Sequence, residues 1–137
     1  MREILFRGKR PHYESWVEGF YIHAPSGRLG KNEHLIQTVK KDGRLDILYE
    51  VYPETVGQFT GLVDKHGKRI FEGDVVTIEG NSVFEMTGWV VFADGAFQIR
   101  EPGCDMYECL FYNPNDMEVI GNIHDNPELL EDADGQN

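Results

Sequence analysis

Trp89-Val90-Val91-Phe92-Ala93-Asp94-Gly95-Ala96-Phe97-Gln98-Ile99 is the stretch that decides the fold. Two apolar runs rich in β-branched and aromatic residues flank an Asp-Gly pair, the strongest short-range signal for a two-residue β-hairpin. Strict alternation puts Trp89 and Val91 on one face and Val90 and Phe92 on the other, so the four apolar residues Trp89, Val91, Phe97 and Ile99 do not share a face.

The same pattern recurs on both sides. Upstream, Leu62-Val63 and Arg69-Ile70-Phe71 flank Asp64-Lys65-His66-Gly67-Lys68, and Glu72-Gly73-Asp74 turns into Val75-Val76-Thr77-Ile78. Glu79-Gly80-Asn81-Ser82 reads as the next turn, leading into a strand from Val83 to Phe92. Earlier still, His34 to Val39 and Leu45 to Tyr52 pair across Lys41-Asp42-Gly43-Arg44. Glu3 to Arg7 and Ser15 to Ile22 read as strands, and Ala24 to Asn32, with Pro25, Gly27 and Gly30, as a loop. Pro53 to Gly61 reads as extended, with Val56 and Phe59 able to face a core.

Downstream, Pro102-Gly103 breaks the pattern, Met106 to Phe111 reads as a strand or a helical turn, and Asn113-Pro114-Asn115-Asp116 as a turn. Met117 to Ile123 returns to β. Asn126-Pro127-Glu128 carries helix-start signals, Asn126 as N-cap and Pro127 at the first position, for a helix so short that Leu129 and Leu130 must dock on the body. The expected fold is therefore mostly β: a small antiparallel β-barrel or sandwich with SH3-like barrel elements and a short C-terminal helix. One domain over 1–131 is expected, divisible into an N-terminal lobe (1–52) and a barrel (53–131), with 132–137 a frayed acidic tail.

A chain of 137 residues can bury a sizeable core without staples. The N-terminus lacks the apolar core of a secretory signal, and no apolar run approaches a membrane span, which argues for a cytoplasmic protein. Charge is uneven. The net charge is −11, yet residues 1–41 hold eight basic and four acidic residues, whereas ten acids and no Lys or Arg follow Arg100. Such a half repels phosphate and argues against direct nucleic-acid binding. It either solvates the chain, offers a basic partner a surface, or mimics a nucleic-acid backbone. Arg28, Lys31, Lys40 and Lys41 are expected to lie near carboxylates of the C-terminal half, within the chain or between copies, relieving self-repulsion.

The opening Met1-Arg2-Glu3-Ile4-Leu5-Phe6-Arg7, then Trp16-Val17-Glu18-Gly19-Phe20-Tyr21, Pro53 to Leu62, Asp64 to Val76 and Glu118 to Leu130 together resemble the YopX family of phages and prophages. The resemblance runs from about residue 1 to 131, with His66 standing where Asn is expected before the turn glycine. It implies a mostly β fold in a bacterial host cell and no assigned activity.

No catalytic motif stands out. Cys104 and Cys109 have neither redox nor zinc spacing, with Cys109 the better placed for burial, and the five histidines are scattered, so neither a metal nor a cofactor is expected. Glu54 with Asp74, or Glu72 with Asp74, are the candidate carboxylate pairs, but Glu72-Gly73-Asp74 is explained by turn chemistry. No nucleophile elbow or phosphate loop occurs. The candidate partner-binding residues are Glu54, Thr55, Gln58 and Thr60, polar in an extended stretch, together with Trp16 and Tyr52. Phe20, Tyr21 and Tyr49 extend that aromatic set. The function expected is a noncatalytic module binding an unidentified host or phage protein or another copy of itself. An acidic decoy of a host DNA- or RNA-binding protein is the alternative, and an unrecognised enzyme the third reading.

Overall fold

A computed structural model describes residues 3–27, 30–79, 85–103, 107–109 and 114–132. The described strands are joined antiparallel into open sheets, with one five-residue α-helix, α1 (Glu128–Asp132). They form no closed barrel; the SH3-like closure expected from the Gly-Asp turns is not what they build. The chain divides into two compact units, Met1–Phe59 and Thr60–Asn137.

The first unit contains β1 (Phe6–Lys9), β2 (Trp16–Ala24), β3 (Glu33–Val39) and β4 (Leu45–Glu50), laid side by side in reverse order β4-β3-β2-β1. Strand β1 starts later than the sequence suggests, at Phe6. Gly57 and Gln58, at the head of β5 (Gly57–Val63), pair with Arg7 and Phe6. Leu35 and Ile36 are both buried although they point to opposite faces, so β3 carries apolar packing on each side. Close approach explains two glycines. A Cβ on Gly19 would lie 2.0 Å from the Gln37 carbonyl oxygen, and one on Gly8 would lie 2.8 Å from Val51. After β4, Val51 donates its amide to the His34 carbonyl (3.0 Å) and Tyr52 donates to the Lys9 carbonyl (2.9 Å).

Pro53–Thr55 is a 3-10 turn rather than part of an extended strand. Proline's fixed φ suits the first position of such a turn.

The second unit holds the remainder of β5 with β6 (Arg69–Phe71), and a five-stranded sheet of order β10-β9-β8-β7-β11. Its members are β7 (Asp74–Glu79), β8 (Glu85–Ala93), β9 (Ala96–Arg100), β10 (Tyr107–Cys109) and β11 (Met117–Asn122). One core joins the two layers: Ile70 packs with Val76, Ile78, Met86, Val90, Ile99, Met117 and Val119, and Leu62 and Phe97 lie against them. This is a sandwich-like arrangement. The decisive hairpin forms as expected, with Phe92 opposite Phe97 and Ala93 opposite Ala96. Asp94 (φ 53°) and Gly95 (φ 82°) both take the left-handed conformation that a type I′ turn demands. Val90 and Ile99 share the buried face, while Trp89 and Val91 sit half-buried on the other. Phe92, at the turn end, is exposed, so the hairpin's buried face is dry only toward the sheet centre.

Leu129 and Leu130 of α1 are half-buried, and a Cβ on Gly121 would lie 2.9 Å from Leu129 Cδ1. The Asn126 side chain does not cap the helix as expected. Its oxygen accepts the Asn122 amide (3.2 Å), closing the turn that delivers the chain to α1. Residues 80–84, which hold most of the expected Glu79–Ser82 turn, lie outside the described residues, as do Arg28, Cys104, residues 133–137 and the Cys109 side chain.

Candidate functional site

Of the six candidate binding residues, Thr55 and Thr60 are built into the fold. Thr55 is buried; its hydroxyl donates to the Tyr52 carbonyl (2.6 Å) and accepts the Lys9 amide (2.9 Å). Thr60 is also buried, donating to the Ile70 carbonyl (2.8 Å) and accepting the Leu62 amide (3.1 Å). Gln58 is half-buried opposite Phe6. Glu54 projects to solvent from the 3-10 turn, and Tyr52 is exposed. Trp16 is half-buried with the Arg7 guanidinium 4.7 Å above its ring. The β1–β2 ladder places Trp16 opposite Lys9, whose carbonyl holds the Tyr52 amide, so these two aromatics share one neighbour.

The candidate carboxylates divide similarly. Asp74 is buried and accepts the Phe71 amide (2.7 Å), a turn cap. Asp64 is only 4% exposed and holds three backbone amides. One oxygen accepts the His66 and Lys68 amides (2.9 Å each) and the other accepts the Val119 amide of β11 (2.9 Å). Burial pushes its pKa up, but the three amide bonds and the nearby His66 outweigh that and hold it below the ordinary carboxylate value. Lys65 and His66 then reach Glu118 at 3.6 and 3.5 Å. This clasp ties the β5–β6 turn to β11.

Lys31, Lys40 and Lys41 are exposed, and the Lys9–Glu14 and Arg44–Asp42 pairs are local in sequence. Long lysines gain little from surface pairing, so solvation wins.

Three further features lie in the first unit. The first is a ring cluster on the β2–β3 face. Tyr21 Oη and His34 Nδ1 are 2.6 Å apart, and His23 stacks on His34 with centroids 4.3 Å apart. Burial raises the Tyr21 pKa. The second is a cavity of about 300 Å³ between the Arg10–Tyr13 turn and Leu48, Tyr49 and Glu50. The Arg10 guanidinium lies 4.0 Å from the Tyr13 ring centroid and 4.6 Å from that of Tyr49. His12 holds a left-handed φ of 66°, which bends this turn. Nothing local in the sequence joins Arg10 to Tyr49; only the sheet does. A third feature is apolar. Phe20, Ile22, Val39, Leu45 and Leu48 fall on one face of β2, β3 and β4 and are all exposed, Leu45 by 65% and Phe20 by 52%.

Fold and surface together define a two-unit, antiparallel β protein whose first unit leaves an apolar row and an arginine-lined cavity open. The YopX protein family matches residues 5–131, nearly the whole chain, and the chain belongs to that family. Its fold is similar to the crystal structure of protein EF1440 from Enterococcus faecalis, with a TM-score of 0.59 and 24% identity over 96% of this chain and 100% of that one. No curated protein matches it.

Proposed function

We propose that the chain is a noncatalytic module, encoded by a phage or prophage, that binds a protein partner in the bacterial cytoplasm. One observation carries this reading: the exposed row Phe20, Ile22, Val39, Leu45 and Leu48 on a single face of β2–β4. Monomeric surfaces scatter single apolar residues, whereas several on one sheet face mark an association site. Asp74 and Asp64 support the noncatalytic part, because their oxygens already hold backbone amides.

A photo-crosslinking residue at position 20 of the full chain, expressed in the host, tests it. The expected result is one dominant protein adduct at position 20, absent from a control at Lys41 and lost in Ile22→Ser. Absence of any protein adduct at position 20 overturns the reading. A self-adduct, with a dimer in sedimentation, assigns the row to a second copy. Capture that collapses with salt and is displaced by duplex DNA moves the function to the acidic half as a nucleic-acid mimic.

A further inference from the structure

The register of β3 and β4 fixes which way the outer strand's backbone points. Val51 donates to His34, making that opposed couple a hydrogen-bonded one. Antiparallel ladders alternate, so Ile36–Tyr49 is also hydrogen-bonded, whereas Leu35–Glu50 and Gln37–Leu48 are not. The N–H and C=O of Leu48 and Glu50 therefore point away from β3. Strand β4 is outermost in its sheet, and those same two residues line the cavity beside Arg10. An outward-facing strand edge and an arginine meet at one place.

Arg10 is suited to receive a ligand there. Its guanidinium is held against Tyr13 and Tyr49, which fixes the plane of its fork, and it makes no hydrogen bond with a described residue. A planar fork preset in this way matches a carboxylate through two parallel bonds. Glu50 also lines the cavity and repels a second negative charge.

We propose that this seam binds an extended partner segment by strand addition to β4, with a single acidic side chain seated on Arg10. The backbone of Leu48 and Glu50 supplies the ladder, Arg10 the charge selectivity, and the Tyr13 and Tyr49 rings the walls. The inference deepens the protein-binding reading and rests on it. It differs in site, since it uses the outer backbone edge of β4 rather than the exposed side-chain face of β2–β4.

A displayed library of random decapeptides, selected on the full chain, tests it. The expected outcome is a consensus with one Asp or Glu among β-branched residues, whose exchange for Asn or Gln weakens a selected peptide about tenfold or more. Arg10→Gln should lose the same amount, and Arg10→Lys most of it. Leu48→Pro removes one outward N–H without touching the β3 ladder, and should abolish binding while the thermal transition stays within a few degrees. Amide resonances of Leu48 and Glu50 should shift on titration. A selection with no acidic consensus overturns the proposal, as does binding kept within threefold by both Arg10→Gln and Leu48→Pro. A dimer that Arg10→Gln dissociates overturns it in favour of a second copy. Should the seam fail while Phe20 still crosslinks its partner, the protein-binding reading stands and only the strand-addition site falls.

Discussion

Asp64 joins its own turn to β11 through three backbone amides, those of His66, Lys68 and Val119. Its place in a turn is legible, because Asp64-Lys65-His66-Gly67 pairs a turn-favouring Asp with a glycine that takes a φ of 81°. Its third bond is not legible, since the Val119 amide is an anonymous backbone group 55 residues away. Removing the carboxylate by Asp64→Ala strands three amides near the core, so urea unfolding should show a loss of about 3 kcal/mol. A loss below about 1 kcal/mol would mean that water replaces the side chain. The pH dependence follows from the sign of the shift. The folded pKa lies below the unfolded value of about 3.9, so the contribution is complete above that value and is lost as pH falls through the folded pKa. Asp64→Asn should flatten the acid limb of the stability curve below about pH 4 relative to wild type. An acid limb with unchanged slope would remove Asp64 from that role. The candidate site divides the same way: Tyr52 and Glu54 are exposed as a binding role requires, but Thr55 and Thr60 are polar residues used for the fold, and polarity alone does not tell the two uses apart.

At the scale of elements, hairpins were the readable part, because each is fixed by residues adjacent in sequence. The 34–52 hairpin, the 62–71 hairpin and the 89–99 hairpin all stand where turn chemistry puts them. Elements governed by a remote neighbour were not readable: Pro53–Thr55 coils into a 3-10 turn stitched to Lys9, and Asn126 serves its turn rather than its helix. Two glycine substitutions separate local from remote control. Gly95→Ala meets no atom within 4 Å, so only the left-handed backbone resists, and the cost should be about 1 kcal/mol. Gly19→Ala drives a Cβ into the Gln37 carbonyl and cannot be relieved without parting β2 from β3. Chemical denaturation should show the second change costing at least about 2–3 kcal/mol, well above the first. Equal costs would mean that the two strands separate more easily than this packing implies.

For the whole molecule, the net charge of −11 acts on stability. The sequence sets a lobe boundary at 52/53, whereas the compact units part at 59/60 inside β5, whose head pairs with β1 and whose tail carries on into the second unit. Composition changes at loops and cannot reveal a strand that changes neighbours midway. Charge is a bulk property and is fully legible: −11 for the chain, with the excess beyond Arg100. Two opposite consequences are possible for salt. If the basic residues of the first 41 were paired with the acids, screening would weaken attraction and lower the transition temperature. Lys31, Lys40 and Lys41 are exposed and Lys65–Glu118 is partly solvated, so little attraction is there to lose. Like-charge repulsion among the acids is the larger effect, and it shrinks as the screening length falls from about 30 Å at 0.01 M to about 8 Å at 0.15 M. Raising NaCl across that range at pH 7 should stabilise the fold by about 1 kcal/mol, a rise of roughly 3–5 °C in calorimetry. A flat or falling transition temperature would show that the acids are already neutralised within the folded chain, leaving no acidic field for a basic partner to read.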